Sequence, residues 1–143
     1  MKIGELAQMA QCTVETVRYY EKEGLLSAPA RTSGNYRSYD HNHLDRLRFI
    51  RNCRALAMTH EEIHTLLDLM FRHADDCGSV NQLLDQHIAH VDVRIAELSQ
   101  LKQQLGILRE RCQNRQSVDT CGILQGLAEM ESSPKLERHT HLG

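Results

Sequence analysis

Five cysteines, Cys12, Cys53, Cys77, Cys112 and Cys121, carry the most distinctive chemistry of this 143-residue chain. The N-terminus MKIGELAQ lacks the apolar core of a secretory signal, and no apolar run is long enough for a membrane span. We therefore expect a cytoplasmic protein in which disulfides are rare. Its odd set of thiols is then divided among metal binding, reactivity and simple burial.

Three of these thiols, Cys77, Cys112 and Cys121, have a spacing that suits a shared metal site. Eight residues separate Cys112 from Cys121, which is enough for a short loop to wrap an ion. Cys77 and Cys112, in contrast, stand at opposite ends of a predicted helix about 50 Å long, so one chain cannot bring both to one ion. An antiparallel pairing of two such helices would place Cys77 of one protomer beside Cys112 and Cys121 of its partner.

Three thiolates without a fourth ligand form a soft, trigonal site. Such a site favours cadmium, lead or mercury and is less complete for tetrahedral zinc, to which Asp119 could lend an oxygen. The alternative to metal binding is that the cysteines are small buried hydrophobes. This alternative is strongest for Cys112, because it ends an apolar stripe. Cys12 and Cys53 we assign to packing.

Histidine is frequent, with nine residues in the chain. His87 and His90 are three residues apart on the predicted long helix, and His139 and His141 lie near the C-terminus. These four could form a second, nitrogen-rich site for cadmium or zinc. The alternative is that the first two are helix-surface residues and that the C-terminal segment is a flexible, solvated tail, since such a tail loses conformational entropy when it binds.

The N-terminal part of the chain predicts a winged helix-turn-helix. Residues 3–10 and 13–23 indicate two short helices, with Thr13 as an N-cap, and an extended hairpin follows around residues 33–35. Two further helices are predicted from about residue 43 to 56 and from Thr59, whose capping box with Glu62 marks the start, to about residue 71.

The rest of the chain predicts a long dimerisation helix and a smaller metal-binding segment. Residues 80–112 contain no proline, and their apolar residues alternate in steps of three and four, as in a coiled coil. The seam consists of Leu84, Ile88, Val91, Ile95, Leu98, Leu101, Leu105, Leu108 and Cys112. The predicted fold is mainly α, with a DNA-binding domain over residues 1–71, a ligand loop over 72–79, the helix over 80–112, a loop and short helix over 113–131 and a tail over 132–143.

Charge is distributed unevenly between these parts. Residues 1–56 hold nine Lys and Arg against six Asp and Glu, whereas the remainder is acidic. A basic N-terminal part indicates nucleic-acid binding, because arginine can hydrogen-bond to guanine edges and phosphate, and tyrosine donates to phosphate. The alternative is a solvated basic face with structural tyrosines. The candidate DNA-binding residues are Thr16, Arg18, Tyr19, Tyr20, Arg31, Asn35, Tyr36, Arg37 and Tyr39.

Four segments of the head resemble the MerR family of bacterial transcription regulators: residues 3–7 (IGELA), 16–21 (TVRYYE), 24–26 (GLL) and 34–39 (GNYRSY). The resemblance extends to about residue 130. It implies an antiparallel homodimer on double-stranded promoter DNA, which distorts an overlong spacer so that RNA polymerase can engage. From the residues themselves we expect neither enzymatic activity nor a membrane partner.

Within that family, residues 76–81 (DCGSVN), 84–88 (LDQHI), 121–125 (CGILQ) and Cys112 resemble the cadmium- and lead-responsive branch. The expected function is thus activation of metal-resistance genes by Cd(II) or Pb(II). A Zn(II)- or Hg(II)-responsive member of the family is the alternative, and a metal-buffering protein or a redox regulator are rivals from other classes. Four closely spaced cysteines for an iron–sulfur cluster are absent, as is any nucleophile–base pair or open-site zinc motif.

Overall fold

The computed structural model describes residues 1–72 and 76–131. These residues are mainly helical and divide into two compact units, one ending at Leu83 and one beginning at Leu84. The elements are α1 (Ile3–Met9), α2 (Val14–Lys22), β1 (Ala30–Arg31), β2 (Arg37–Ser38), α3 (His41–Ala55), α4 (His60–Phe71), α5 (Gly78–Arg109), a 3₁₀ turn (Val118–Thr120) and α6 (Gly122–Glu129). Within this part of the chain, no helix combines the length and apolar character that crossing a bilayer requires.

The first unit, which we call the head, is built on the predicted pair of short helices. The hydroxyl of Thr13 accepts a hydrogen bond from the backbone N–H of Thr16, so Thr13 is the N-cap of α2, as predicted. Gly24 ends the same helix with a φ of 77°, a left-handed conformation that favours glycine. Apolar side chains from α1 to α4 fill the core beneath, among them Leu6, Val17, Leu47, Ile50 and Ile63.

The predicted hairpin is present and forms the wing, residues 30–38. Its strands are antiparallel, with Ala30 opposite Ser38 and Arg31 opposite Arg37. Asn35 sits at the turn with a φ of 67°, and its backbone N–H donates to the carbonyl of Thr32 at 2.8 Å. The wing is therefore a short, hydrogen-bonded arm.

Helices α3 and α4, which follow the wing, both begin at capping boxes. The box of Thr59 and Glu62 at the start of α4 is confirmed. The prediction for α3 was wrong by two residues, because Asp40 caps it: the Asp40 carboxylate accepts from the backbone N–H of His43, and the His43 ring accepts from the N–H of Asp40. This local exchange starts the helix at His41.

The long helix α5 is also displaced from its predicted bounds. It starts at Gly78, whose N–H donates to the Asp76 carboxylate at 2.7 Å, so Cys77 lies immediately before it. It ends at Arg109, which leaves Cys112 beyond the helix rather than at its last turn. Much of the apolar seam is exposed in the single chain, including Ile88, Ile95, Leu98, Leu101 and Leu105.

Candidate DNA interface and metal centre

The second helix of the head, α2, presents a polar face to solvent. Arg18 and Tyr19 are exposed and Thr16 is partly exposed, whereas Val17 is fully buried. The hydroxyl of Tyr19 lies 3.5 Å from Nδ1 of His60, at the start of α4. The helix therefore packs through one side and leaves Arg18 free to reach a ligand.

Four predicted wing residues, Arg31, Asn35, Tyr36 and Arg37, are also exposed. Tyr36 has 73% of its surface accessible. The guanidinium of Arg31 donates to the carbonyl of Asn35 at 3.1 Å, which braces the turn. Donors of the wing and of α2 thus occur together on the surface of the head, as a groove-binding module needs.

Tyr20 and Tyr39 are the exceptions among the predicted DNA-binding residues. Only 8% of Tyr20 and 2% of Tyr39 are accessible, so both side chains belong to the core and present almost no surface to DNA. We therefore reassign both tyrosines from DNA binding to packing of the core. The hydroxyl of Tyr39 donates to Glu21 of α2, and burial followed by this contact raises the pKa of Tyr39 to about 12.

Glu21 links the wing to α2. Besides accepting from Tyr39, its carboxylate lies 3.5 Å from the guanidinium of Arg37. Beside this pair is an open cleft lined by Arg18, Lys22 and Arg37. Lys22 was missed from the sequence, because helical spacing alone does not reveal that it lines this cleft together with Arg37 of the wing.

In the second unit, the structure brings Cys112 and Cys121 together. Their thiols lie near enough for each to shift the pKa of the other, and both side chains are partly exposed. The S–H of Cys112 also reaches the carbonyl of Asn114 at 3.6 Å. Between the two cysteines the chain folds back through the 3₁₀ turn, where the Ser117 hydroxyl accepts from the N–H of Asp119.

The two thiols have different electrostatic surroundings. The neighbouring Cys121 thiol is the main cause of the raised pKa of Cys112. Cys121 is the N-cap residue of α6, and the backbone N–H of Leu124, followed by that of Ile123, lowers the pKa of its thiol. Two adjacent soft donors, one of them at a helix N-terminus, are suited to a soft cation.

The other cysteines lie elsewhere. Cys77 belongs to the first unit, where it is exposed and directly precedes α5. Cys53 is buried in the head core and Cys12 is partly buried beside it, and burial raises the pKa of both thiols. These positions agree with the packing role assigned to Cys12 and Cys53.

The histidines of the predicted accessory site fall in two places. His87 and His90 lie less than one turn apart on α5, as predicted. His139 and His141 lie outside the described residues. The accessory site stays a prediction.

Known proteins resemble the chain along most of its length. The ZntR homolog of Haemophilus influenzae, an HTH-type transcriptional regulator, is 50% identical over 111 residues, which are 78% of this chain and 82% of the relative. The solved structure of the regulator PbrR691 from Ralstonia metallidurans CH34, in complex with lead(II), is 51% identical, with a TM-score of 0.79 over 89% of this chain and 98% of that one. The regulator MerR from Bacillus megaterium MB1, in complex with mercury(II), is 30% identical, with a TM-score of 0.71 over 90% and 100%.

Two family models also match. The model of MerR HTH family regulatory proteins covers residues 1–69, and the model described as MerR, DNA binding covers residues 44–108. DNA is accordingly a partner of this protein, which is a regulator and not an enzyme. The chain belongs to the MerR family of helix-turn-helix transcription regulators.

Proposed function

We propose that the protein activates a promoter when its thiols bind a soft divalent ion, with Cd(II) or Pb(II) preferred over Zn(II) or Hg(II). The contact between Cys112 and Cys121 carries this proposal, because it places two soft donors together in a chain whose head binds DNA. As a member of its family the protein is a homodimer, so each dimer contains this pair twice.

The third ligand in this proposal is Cys77 of the partner subunit. Within one chain, Cys77 and Cys112 are separated by all 32 residues of α5, a rise of about 48 Å. An antiparallel pairing of two α5 helices through the exposed apolar seam brings the start of one helix to the end of the other. An ion held by both subunits can then change their relative orientation, which is what a switch requires.

The choice of metal follows from the donor set. Three thiolates satisfy a trigonal soft ion, whereas tetrahedral zinc needs one more ligand. PbrR691, which is 51% identical over nearly all of its length, was solved with lead(II). The donor set disfavours zinc, and the lead(II) complex of this relative favours lead or cadmium. The ion would serve as the signal that the regulator detects.

On the DNA side, we propose that Thr16, Arg18 and Tyr19 of α2 enter the major groove. The wing then follows the phosphates through Arg31, Asn35, Tyr36 and Arg37, and Lys22 adds a cation in the cleft between the two elements. Binding of the ion distorts the promoter spacer, and RNA polymerase engages it.

The metal preference is tested by transcription in vitro from the native promoter, with buffered Cd(II), Pb(II), Zn(II) and Hg(II). We expect cadmium or lead to give half-maximal induction at a lower free concentration than zinc, because the three-thiolate site leaves zinc under-coordinated. Thiolate-to-metal absorption, recorded on the same samples, reports binding directly. Induction at lower free zinc or mercury than cadmium or lead would overturn the metal preference.

The shared site is tested with mixed dimers. Cys77→Ser and Cys112→Ser homodimers should each lack complete sites. A heterodimer of the two variants, isolated with two affinity tags, should regain one: Cys77 comes from the Cys112→Ser subunit, and Cys112 and Cys121 come from the other. The readout is tight binding of one ion per heterodimer. A heterodimer as deficient as both parents would contradict a site built across subunits.

A further inference from the structure

The first residue of α6, Gly122, lies very close to the backbone of Arg111, two residues after the end of α5. A Cβ atom added to Gly122 would lie 2.3 Å from the backbone carbonyl oxygen of Arg111 and 3.1 Å from its carbonyl carbon. Such distances are far inside van der Waals contact, and the atoms in the way are main-chain atoms that no rotamer change can move. Any side chain at this position therefore displaces one backbone from the other.

The requirement is for space and not for an unusual conformation. Gly24 has a positive φ, whereas Gly122 does not, so an alanine at Gly122 could adopt the local backbone. Alanine also favours helix over glycine. The reason for glycine at this position is the approach of Arg111.

The close approach is adjacent to both thiols. Cys112 follows Arg111 directly, and Cys121 directly precedes Gly122. The two chain segments meet at Arg111 and Gly122, so their neighbours Cys112 and Cys121 are brought close together, and each thiol shifts the pKa of the other. The guanidinium of Arg109 additionally donates to the carbonyl of Cys112 at 2.7 Å, which fixes the first segment.

We propose that Gly122 is a positioning residue for the thiol pair: its missing side chain lets α6 start against Arg111 and so brings Cys121 to Cys112 within each protomer. The pair is then assembled before any ion or partner thiol arrives. The proposal deepens the metal-site hypothesis and rests on it for its biological meaning, but the pairing of the two thiols can be measured without a metal.

Gly126 provides a graded comparison on the same face of α6. A Cβ atom there would lie 2.5 Å from the Nη1 atom of Arg111 and 3.1 Å from a methyl carbon of Leu108. These are the ends of flexible side chains, which can move at small cost. A Cβ atom at Gly106, inside α5, meets no atom within 4 Å of the described chain. Gly106→Ala is thus the matched control for a glycine-to-alanine change in a helix.

The test uses phenylarsine oxide, a trivalent arsenical that binds two neighbouring thiols with loss of water. In the full-length Cys77→Ser background, one equivalent should remove two thiols from reaction with a thiol-titrating reagent. We expect Gly122→Ala to weaken this binding by about 10- to 100-fold, in the range of losses caused by misplaced metal ligands. Gly126→Ala should weaken it less, and Gly106→Ala should match the parent.

Far-UV circular dichroism and operator binding verify that each variant is folded. Gly122→Ala with parental arsenical affinity would overturn the positioning role, whatever its metal response. If the parent binds the arsenical and Gly122→Ala does not, but the wild type fails to respond to metals, the positioning role stands and the proposed function fails. If Gly126→Ala and Gly122→Ala lose the same affinity, the backbone contact at Arg111 is not the cause, and the proposal is wrong.

Discussion

Replacing Cys112 by serine is expected to abolish metal-induced transcription while operator binding stays close to that of the wild type. A serine hydroxyl is a hard, protonated donor at neutral pH and a poor ligand for a soft cation. Changes outside the ligand shell already cost about 10- to 100-fold in metal affinity, so the loss of a ligand should cost at least as much. The head, which contains the proposed DNA-binding residues, lies in the other unit and has its own core.

The measurement is in vitro transcription across a cadmium titration, together with gel-shift affinity for the operator. Cys12→Ser is the control, because it makes the same atomic change at a partly buried thiol that we assign to packing. A Cys112→Ser protein with full induction at wild-type cadmium concentrations would show that the thiolate assignment is wrong. Equal loss in Cys12→Ser would point to general destabilisation.

Arg18→Ala is expected to weaken operator binding by about 1–3 kcal/mol, roughly a 5- to 150-fold loss. Arg18 is exposed on α2 and lines the cleft with Lys22 and Arg37, so its guanidinium can reach a base edge or a phosphate without rearrangement of the core. Metal binding should be unaffected, since the thiol pair lies in the other unit.

Two readouts distinguish the roles of Arg18. If it binds phosphate, the slope of log affinity against log salt should become shallower by about 0.9. If it reads a guanine, the slope changes less and discrimination between operator variants is lost. Lys102→Ala, which removes an exposed cation from α5, is the control. Unchanged affinity, slope and discrimination in Arg18→Ala would refute the assignment of α2 as the reading helix.

Local signals in the sequence were sufficient to predict most of the fold. The caps at Thr13 and Thr59 were predicted correctly because each depends on side chains within three residues. The error at α3 had the same local origin: Asp40 and His43 form a capping box, but His is not the usual partner of such a box. The early start of α5 depends on Asp76, a single acceptor for the N–H of Gly78.

What the sequence could not show depends on contacts between distant residues. Tyr39 stands in a polar hairpin, and only the position of Glu21, eighteen residues earlier, reveals that its hydroxyl points into the head. Gly122 looks like an ordinary glycine after a cysteine until Arg111 is placed beside it. The pairing of Cys112 with Cys121 was suggested by spacing, whereas the different surroundings of the two thiols depend on where α6 begins.

The contacts that join the wing to α2 have a consequence for how the dimer could act on DNA. Glu21 holds both Tyr39 and Arg37, and the backbone N–H of Tyr39 also donates to the carbonyl of Met1 at 2.8 Å. We therefore expect α2 and the wing of each head to move together when the protein binds DNA in the way proposed above. In the proposed mechanism, twisting of the promoter would then come from rotation of one head relative to the other, and a firm connection between α2 and the wing would pass that rotation on to the DNA.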